Sequence, residues 1–271
     1  VTGDKTTPLD EIRAEIDRID DAILALLGER MAAVDAVRAV KGGDAGRPVT
    51  AMRPDREARI IRRLVETRAR QVPAGLVERV WREIIASATH VQVPLAAHVC
   101  ISGPSAVALD LVHARFGTAT PVVSHDSPVA AVRAVAARGA DVAVVALKSD
   151  DQDWLGALLE AGAERPRVIA CLPFLDCGGG KEALVIGHAP TEATGDDTTV
   201  IALLAAQDPS ANDNTGALEV IGSSGRWRLA GAKGLVSQDD QLMISLRADP
   251  AHAAVEIVGA FANPIRIPDQ V

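Results

Sequence analysis

The chain contains no tyrosine and only three Phe and three Trp in 271 residues. So few rings exclude a surface that binds single-stranded nucleic acid by stacking bases. Basic residues are outnumbered, 28 Lys/Arg against 36 Asp/Glu, and the net charge of −8 excludes a protein built to grip a phosphate backbone. Cysteine is limited to Cys100, Cys171 and Cys177, far apart or in unlike contexts. They are expected to be reduced, structural thiols of a cytoplasmic protein. His90, His98, His113 and His125 have no metal-ligand spacing and are read as structural or exposed, so neither a metal nor a cofactor is expected. No apolar run is long enough to span a bilayer and no signal-peptide pattern is present, so no membrane partner is expected.

What is present fits an ordinary globular protein, with 48% hydrophobic and 24% charged residues and room for two domains. The charge is unevenly spread. Residues 1–92 hold sixteen Lys/Arg against fifteen Asp/Glu, whereas residues 93–271 hold twelve against twenty-one. The near-neutral first part and the acidic remainder therefore present different kinds of surface.

The first part opens with a long amphipathic pattern. Apolar residues recur at helical spacing at Leu9, Ile12, Ile16, Ile19, Ile23, Leu26, Leu27, Met31, Val34, Val37 and Val40. Thr7-Pro8 supplies a cap and a first helical residue, Asp10 and Glu11 suit the positive end of the dipole, and Gly42-Gly43 ends the run. From Leu9 to Lys41 such a helix spans roughly 48 Å. It cannot cover its own stripe, which implies further helices from a second copy of the chain. Two shorter helices follow, from about Pro54 to Arg70 and from Pro73 to about Gln92, completing a three-helix unit.

After Val93-Pro94 short β-branched runs alternate with Ala-rich amphipathic stretches. Strands are expected at Val99–Ser102, Pro121–Ser124, Asp141–Leu147, Arg167–Leu172, Ala183–Ile186 and Thr198–Leu204. Helices are expected over 105–116, 127–138 and 151–162. The alternation predicts an α/β sheet, at least partly parallel. A strand-rich segment begins near residue 215, with a turn at Ser223-Ser224-Gly225. The expected domains are 1–93, all-helical, and 94–271, α/β.

Three cations on the long helix carry the chemistry. Arg30 and Lys41 are 11 residues, or three turns, apart and share a face. Arg13 lies 17 residues before Arg30, roughly 25 Å along the axis, too far to join one pocket within a straight helix. In an antiparallel dimer it reaches the pocket of the other copy.

Over roughly residues 8–92 the chain resembles the all-helical (AroQ-type) chorismate mutase family. The resemblance rests on Leu9-Asp10-Glu11-Ile12-Arg13 with Ile19-Asp20, Leu26-Leu27-Gly28-Glu29-Arg30, Val40-Lys41, Arg47-Pro48-Val49, Asp55-Arg56-Glu57, and Ile84-Ile85 through Gln92, in that order and spacing. It implies an intertwined homodimer with shared active sites that rearranges chorismate to prephenate. In that reading Arg30, with Arg13 of the partner subunit, holds the two carboxylates. Lys41 and Gln92 donate to the ether oxygen, Glu57 accepts from the ring hydroxyl, and Arg56 supports the carboxylate end. This pericyclic reaction needs no nucleophile, metal or general base; it needs one conformer held and charge stabilised on the ether oxygen. Two departures stand out. Thr50–Pro54 is about two residues longer than the usual loop, and a Ser common in the third helix aligns with Ala88, with Ser87 its neighbour, so that one polar contact to the substrate at these two positions is missing or shifted.

Residues 97–205 resemble, over short stretches, prephenate dehydratase. The cues are Ser102-Gly103-Pro104, Val129 to Val145, and Asp197-Thr198-Thr199-Val200. The family's Glu-Asn-Ser motif is replaced by Lys148-Ser149-Asp150, and its Thr-Arg-Phe motif by Thr198-Thr199-Val200 or Thr199-Val200-Ile201, without the Arg. A degenerate domain is expected, structural, partner-binding or ligand-sensing rather than dehydrating. Val255–Phe261 resembles the end of an ACT domain. Gly103-Pro104-Ser105 is read as a helix cap or an anion-binding turn. Two other functional readings stand beside the mutase: isochorismate pyruvate-lyase on a similar helical fold, and a non-catalytic helical dimerisation module of a small-molecule sensor.

Overall fold

The structure is a computed structural model that describes residues 8–41, 52–100, 106–137, 139–147, 153–162, 164–206 and 218–267. Packing divides the chain into two compact units, Val1–Val49 and Thr50–Val271. The change of sequence pattern at residues 93/94 is thus not where the packing divides.

The first unit is one helix, α1 (Pro8–Lys41), unbroken over 34 residues, with Asp10 and Glu11 in its first turn. Its stripe is open: Leu9, Ile12, Ile16 and Ile23 are each more than half exposed. Thr7, the Gly42–Pro48 breaker and Thr50-Ala51 lie outside the described residues.

The second unit begins with α2 (Pro54–Thr67) and α3 (Ala74–Gln92), opened by Pro54 at the first helical position and by Pro73 as N-cap. The remaining elements in order are β1 (Ala97–Cys100), α4 (Ala106–Phe116), β2 (Val122–His125), α5 (Pro128–Ala136), β3 (Val142–Ala146), α6 (Trp154–Glu160) and β4 (Arg167–Leu172). They continue with β5 (Leu175–Asp176), β6 (Ala183–Gly187), β7 (Asp197–Ala205), β8 (Glu219–Ser224), β9 (Trp227–Lys233), α7 (Gln241–Ala248), β10 (His252–Ala262) and β11 (Ile265–Arg266). Nine strands form one mixed sheet in the order β2-β1-β3-β6-β4-β10-β7-β9-β8, and β5 pairs with β11 separately. β1 is parallel to β2 and β3, as short βαβ crossovers through α4 and α5 require, while β6 runs antiparallel to β3 and β4. The strand-rich C-terminal segment is not a separate layer: β10 joins the two halves of the sheet.

The predicted strands and helices of residues 97–205 are present; Arg167–Leu172 coincides with β4, and the ends of the others agree to within three residues. Two features were not foreseen. The turn falls at Gly225-Arg226, one step later, because Gly225 takes a φ of +57° and Ser224 is already paired with Trp227. Helix α7 forms between β9 and β10, capped by the Asp240 carboxylate, which accepts the Leu242 N–H at 2.9 Å.

Apolar residues fill both sheet faces. Trp154, Leu155 and Leu158 of α6 and Val132 and Val135 of α5 pack on one, and Val112 and Phe116 of α4 on the other. A further cluster fixes α2 and α3 on the sheet region. Ala58, Ile61, Val65, Ala74 and Val77 pack with Phe174 and Leu175. Arg62 reinforces it by donating to Thr194 Oγ1 at 2.6 Å and to the carbonyls of Asp196 (2.8 Å) and Asn263 (2.7 Å). Ionic bonds to buried or half-buried partners of this kind contribute on the order of 2 kcal/mol each when kept dry.

Candidate active site

The candidate residues divide between the two units. On α1, Arg30 and Lys41 stand three turns apart on an uninterrupted helix, and Lys41 is its last residue. The Lys41 side chain lies outside the described part. Arg13 is largely exposed and meets Asp10 at 3.4 Å.

In the second unit the first turn of α2 carries two buried acids, Asp55 and Glu57, beside its positive dipole end, while Arg56 between them is exposed. Asp55 is faced by Arg59 at 3.1 Å and Arg53 at 3.7 Å, and both arginines also reach Glu192. Burial, and then the neighbouring Glu192, push the Asp55 carboxyl above its ordinary range.

Glu57 is 5% exposed and takes two guanidinium groups on one oxygen. Its Oε2 accepts from Arg82 Nη1 at 3.2 Å and from Arg115 Nη1 at 2.5 Å. Arg82, on α3, is 3% exposed, sits 3.8 Å from Glu78 and lies 5.1 Å from the Phe174 ring centre. Burial, and then the like charge of Arg115, work against the charge on Arg82, while Glu57 and Glu78 sustain it. Burial pushes the Glu78 carboxyl up, opposed by Arg82 and Arg115.

At the far end of α3, the Gln92 amide donates to the Ala88 carbonyl at 3.2 Å, Ala88 is buried, and Ser87 is exposed. The second unit thus keeps Glu57 in a fixed charged setting, and leaves Arg56 and Ser87 facing outward. Arg82, Arg115 and Phe174 were not singled out from the sequence. The signal was there for Arg82, which stands on the buried stripe with Ile85 and Thr89, where a charge must find a partner.

A cleft of about 790 Å³ lies elsewhere in this unit, and none of the candidate residues lines it. Its charged walls balance: Arg62, Lys181, Lys233 and Arg266 face Glu66, Asp176, Asp196 and Glu219. The altered dehydratase positions that are described have structural duties. Thr198 donates to Asn263 Oδ1 at 2.6 Å, and Thr199 donates to the Gly234 carbonyl at 2.7 Å while accepting the Val236 N–H at 2.8 Å. Lys148-Ser149-Asp150 and Gly103-Pro104-Ser105 lie outside the described residues. Among the described residues no cluster of metal-ligating side chains occurs, and no helix is long and apolar enough to cross a membrane.

By architecture this is a multidomain protein, a helical N-terminal region followed by a mixed-sheet α/β region. Residues 12–93 match the family model of chorismate mutase type II. Among solved structures, prephenate dehydratase from Streptococcus mutans is similar at 10% identity, over 64% of this chain and 100% of that one, with a TM-score of 0.38. Prephenate dehydratase from Arthrobacter aurescens, in complex with L-Phe, is similar at 12% identity over 62% and 90%, with a TM-score of 0.36. A quorum-quenching acylase is similar at 13% identity over 63% and 95%, with a TM-score of 0.38. No curated protein matches the chain.

Proposed function

We propose that the chain is a chorismate mutase, converting chorismate to prephenate without cofactor or metal in the biosynthesis of phenylalanine and tyrosine. The observation that carries this reading is the unbroken α1 helix, which holds Arg30 and Lys41 three turns apart inside a segment matching the mutase family. The roles follow from the chemistry. Arg30 and Arg13, the latter from a second subunit, neutralise the two carboxylates and select the compact conformer. Lys41 and Gln92 donate to the ether oxygen as its bond breaks. Glu57 accepts from the ring hydroxyl, and Arg56 and Ser87 lie at the edge of the substrate, with Ala88 beside them.

The working form is a homodimer. The open apolar stripe of α1 supports it, since an amphipathic helix of this length is stable in water only when that stripe is covered. The α/β region has a structural or ligand-binding role rather than dehydratase activity, which the structural bonds of Thr198 and Thr199 support.

The test is to follow chorismate loss and prephenate gain with the full chain. Loss of an oxyanion-type donor costs roughly 3–4 kcal/mol, so Lys41→Ala is expected to lower kcat about 100- to 1,000-fold. Normal turnover by Lys41→Ala removes the assigned role, and salicylate formed from isochorismate by the wild-type chain replaces the mutase reading with the lyase one.

A further inference from the structure

We propose that Arg115, on α4 of the sheet region and outside the segment that matches the mutase family, is a positioning residue for the mutase reaction, pinning Glu57 by one carboxylate oxygen so that the other faces the substrate's ring hydroxyl. The inference rests on the mutase reading and extends it: a group from the α/β region completes the setting of a residue assigned to the helical one.

The geometry is asymmetric. Both guanidinium groups converge on Glu57 Oε2, from Arg82 at 3.2 Å and from Arg115 at 2.5 Å. Oε1 accepts no hydrogen bond from any described residue. A carboxylate has lone pairs on both oxygens, so Oε1 keeps the capacity to accept from a further donor. The substrate hydroxyl is a donor of that kind, and it needs an acceptor held still rather than one free to rotate about three side-chain bonds.

Stability alone does not account for the cluster. Two guanidinium groups, 3% and 6% exposed, surround a 5% exposed carboxylate. Such buried ionic clusters gain little over apolar packing of the same volume, because desolvation consumes most of the attraction. Arg115 is itself held in register with the mutase-family helices. Just beyond it the chain turns at Gly117, with a φ of +78°, and the Thr118 N–H donates to Glu83 Oε1 of α3 at 3.1 Å. The Arg115 guanidinium lies 5.2 Å from the Phe116 ring centre. Its direction is therefore fixed from the α/β side, and Arg82 supplies the second support from α3.

The experiment is a double-mutant cycle on the full chain, with Arg115→Met, Arg115→Lys, Glu57→Gln and each Arg115 variant combined with Glu57→Gln. Melting midpoints accompany kcat and KM for chorismate. Arg115→Met is expected to lower kcat on the order of 100-fold, the scale of a small misplacement of a reacting contact, with a much smaller change in KM. Arg115→Lys is expected to recover part of that loss. In the Glu57→Gln background both Arg115 substitutions are expected to cost almost nothing further, because they act through the missing carboxylate. Additive losses, a change confined to KM, or faster turnover overturn the proposal. Where Arg115→Met fails to fold, the Arg115→Lys half of the cycle decides the question alone. A wild-type chain that leaves chorismate unchanged fails the mutase reading itself, whereas a Glu57→Gln chain with normal turnover removes only the role of Glu57; either takes this inference with it.

Discussion

Gly259 of β10 lies against the backbone of Val168 of β4, the residue pair that sets the parallel register between these two strands. A Cβ at Gly259 would stand on the Val168 carbonyl oxygen and 2.5 Å from its nitrogen, and the φ of +146° is one that side chains avoid. This contact joins the β2-β1-β3-β6-β4 part of the sheet to the β10-β7-β9-β8 part. Gly259→Ala is therefore expected to destabilise the second unit by about 3 kcal/mol, combining backbone strain with a forced separation of two strands. Urea unfolding measures it; a change within experimental error shows that the two halves yield independently.

His98 links Asp141 to His125. Its Nε2 lies 3.1 Å from Asp141 Oδ2 and its Nδ1 lies 2.8 Å from His125 Nε2. One neutral arrangement satisfies all three groups, with His98 donating to Asp141 and His125 donating to His98. Burial, and then the neighbouring His98, hold the His125 imidazole below its ordinary value, opposed by Asp126. The unfolded chain then binds this proton more readily than the folded one. Stability from this source is complete above the ordinary histidine value and declines as the pH falls below it. Unfolding free energies between about pH 7.5 and 5.5 are expected to fall less steeply in His125→Asn than in the wild type. Parallel curves would remove His125 from the account.

None of the three cysteines is in a disulfide, and they differ in setting. Burial pushes the Cys171 thiol up to about 12, whereas Cys177 is exposed in the glycine-rich loop after β5. The thiolate is the reactive species, so alkylation of the native protein at mildly alkaline pH is expected to modify Cys177 first and to spare Cys171 until the chain unfolds. Peptide mass analysis reads the order directly, and early labelling of Cys171 contradicts its burial in the core with α5 and α6.

The proposed sharing of active sites has a sharp consequence. Arg13→Ala and Lys41→Ala homodimers are each expected to be impaired. Heterodimers refolded from the two together are expected to regain one intact pocket of two, since each chain brings what the other lacks. Mixtures no more active than their parents would place Arg13 outside the site.

The helices and the main strands were legible because each has its own period. The apolar stripe of α1, Pro54 and Pro73 at the starts of α2 and α3, and the Val-rich runs at β3 and β7 are local signals. The cations Arg13, Arg30 and Lys41 were legible for the same reason, since helical spacing converts directly into distance. The setting of Glu57 was not. Arg82 is 25 residues away and Arg115 is 58, and only the docking of α2, α3 and α4 brings the three together. Helix α7 was hidden by its eight-residue length, and the two-residue strands β5 and β11 have no period to read.

By itself the sequence determined an amphipathic helix long enough to space its cations by turns, two more helices after it in the chain, and an alternating α/β texture in the acidic remainder. Those are properties of neighbouring residues, set by backbone period and by where Pro and Gly interrupt it. Tertiary structure alone decided that α2 and α3 belong with the sheet, that nine strands share one sheet through Gly259, and that a guanidinium from α4 meets the carboxylate of Glu57. Such choices turn on which distant surfaces exclude water together, and no window of sequence contains both partners.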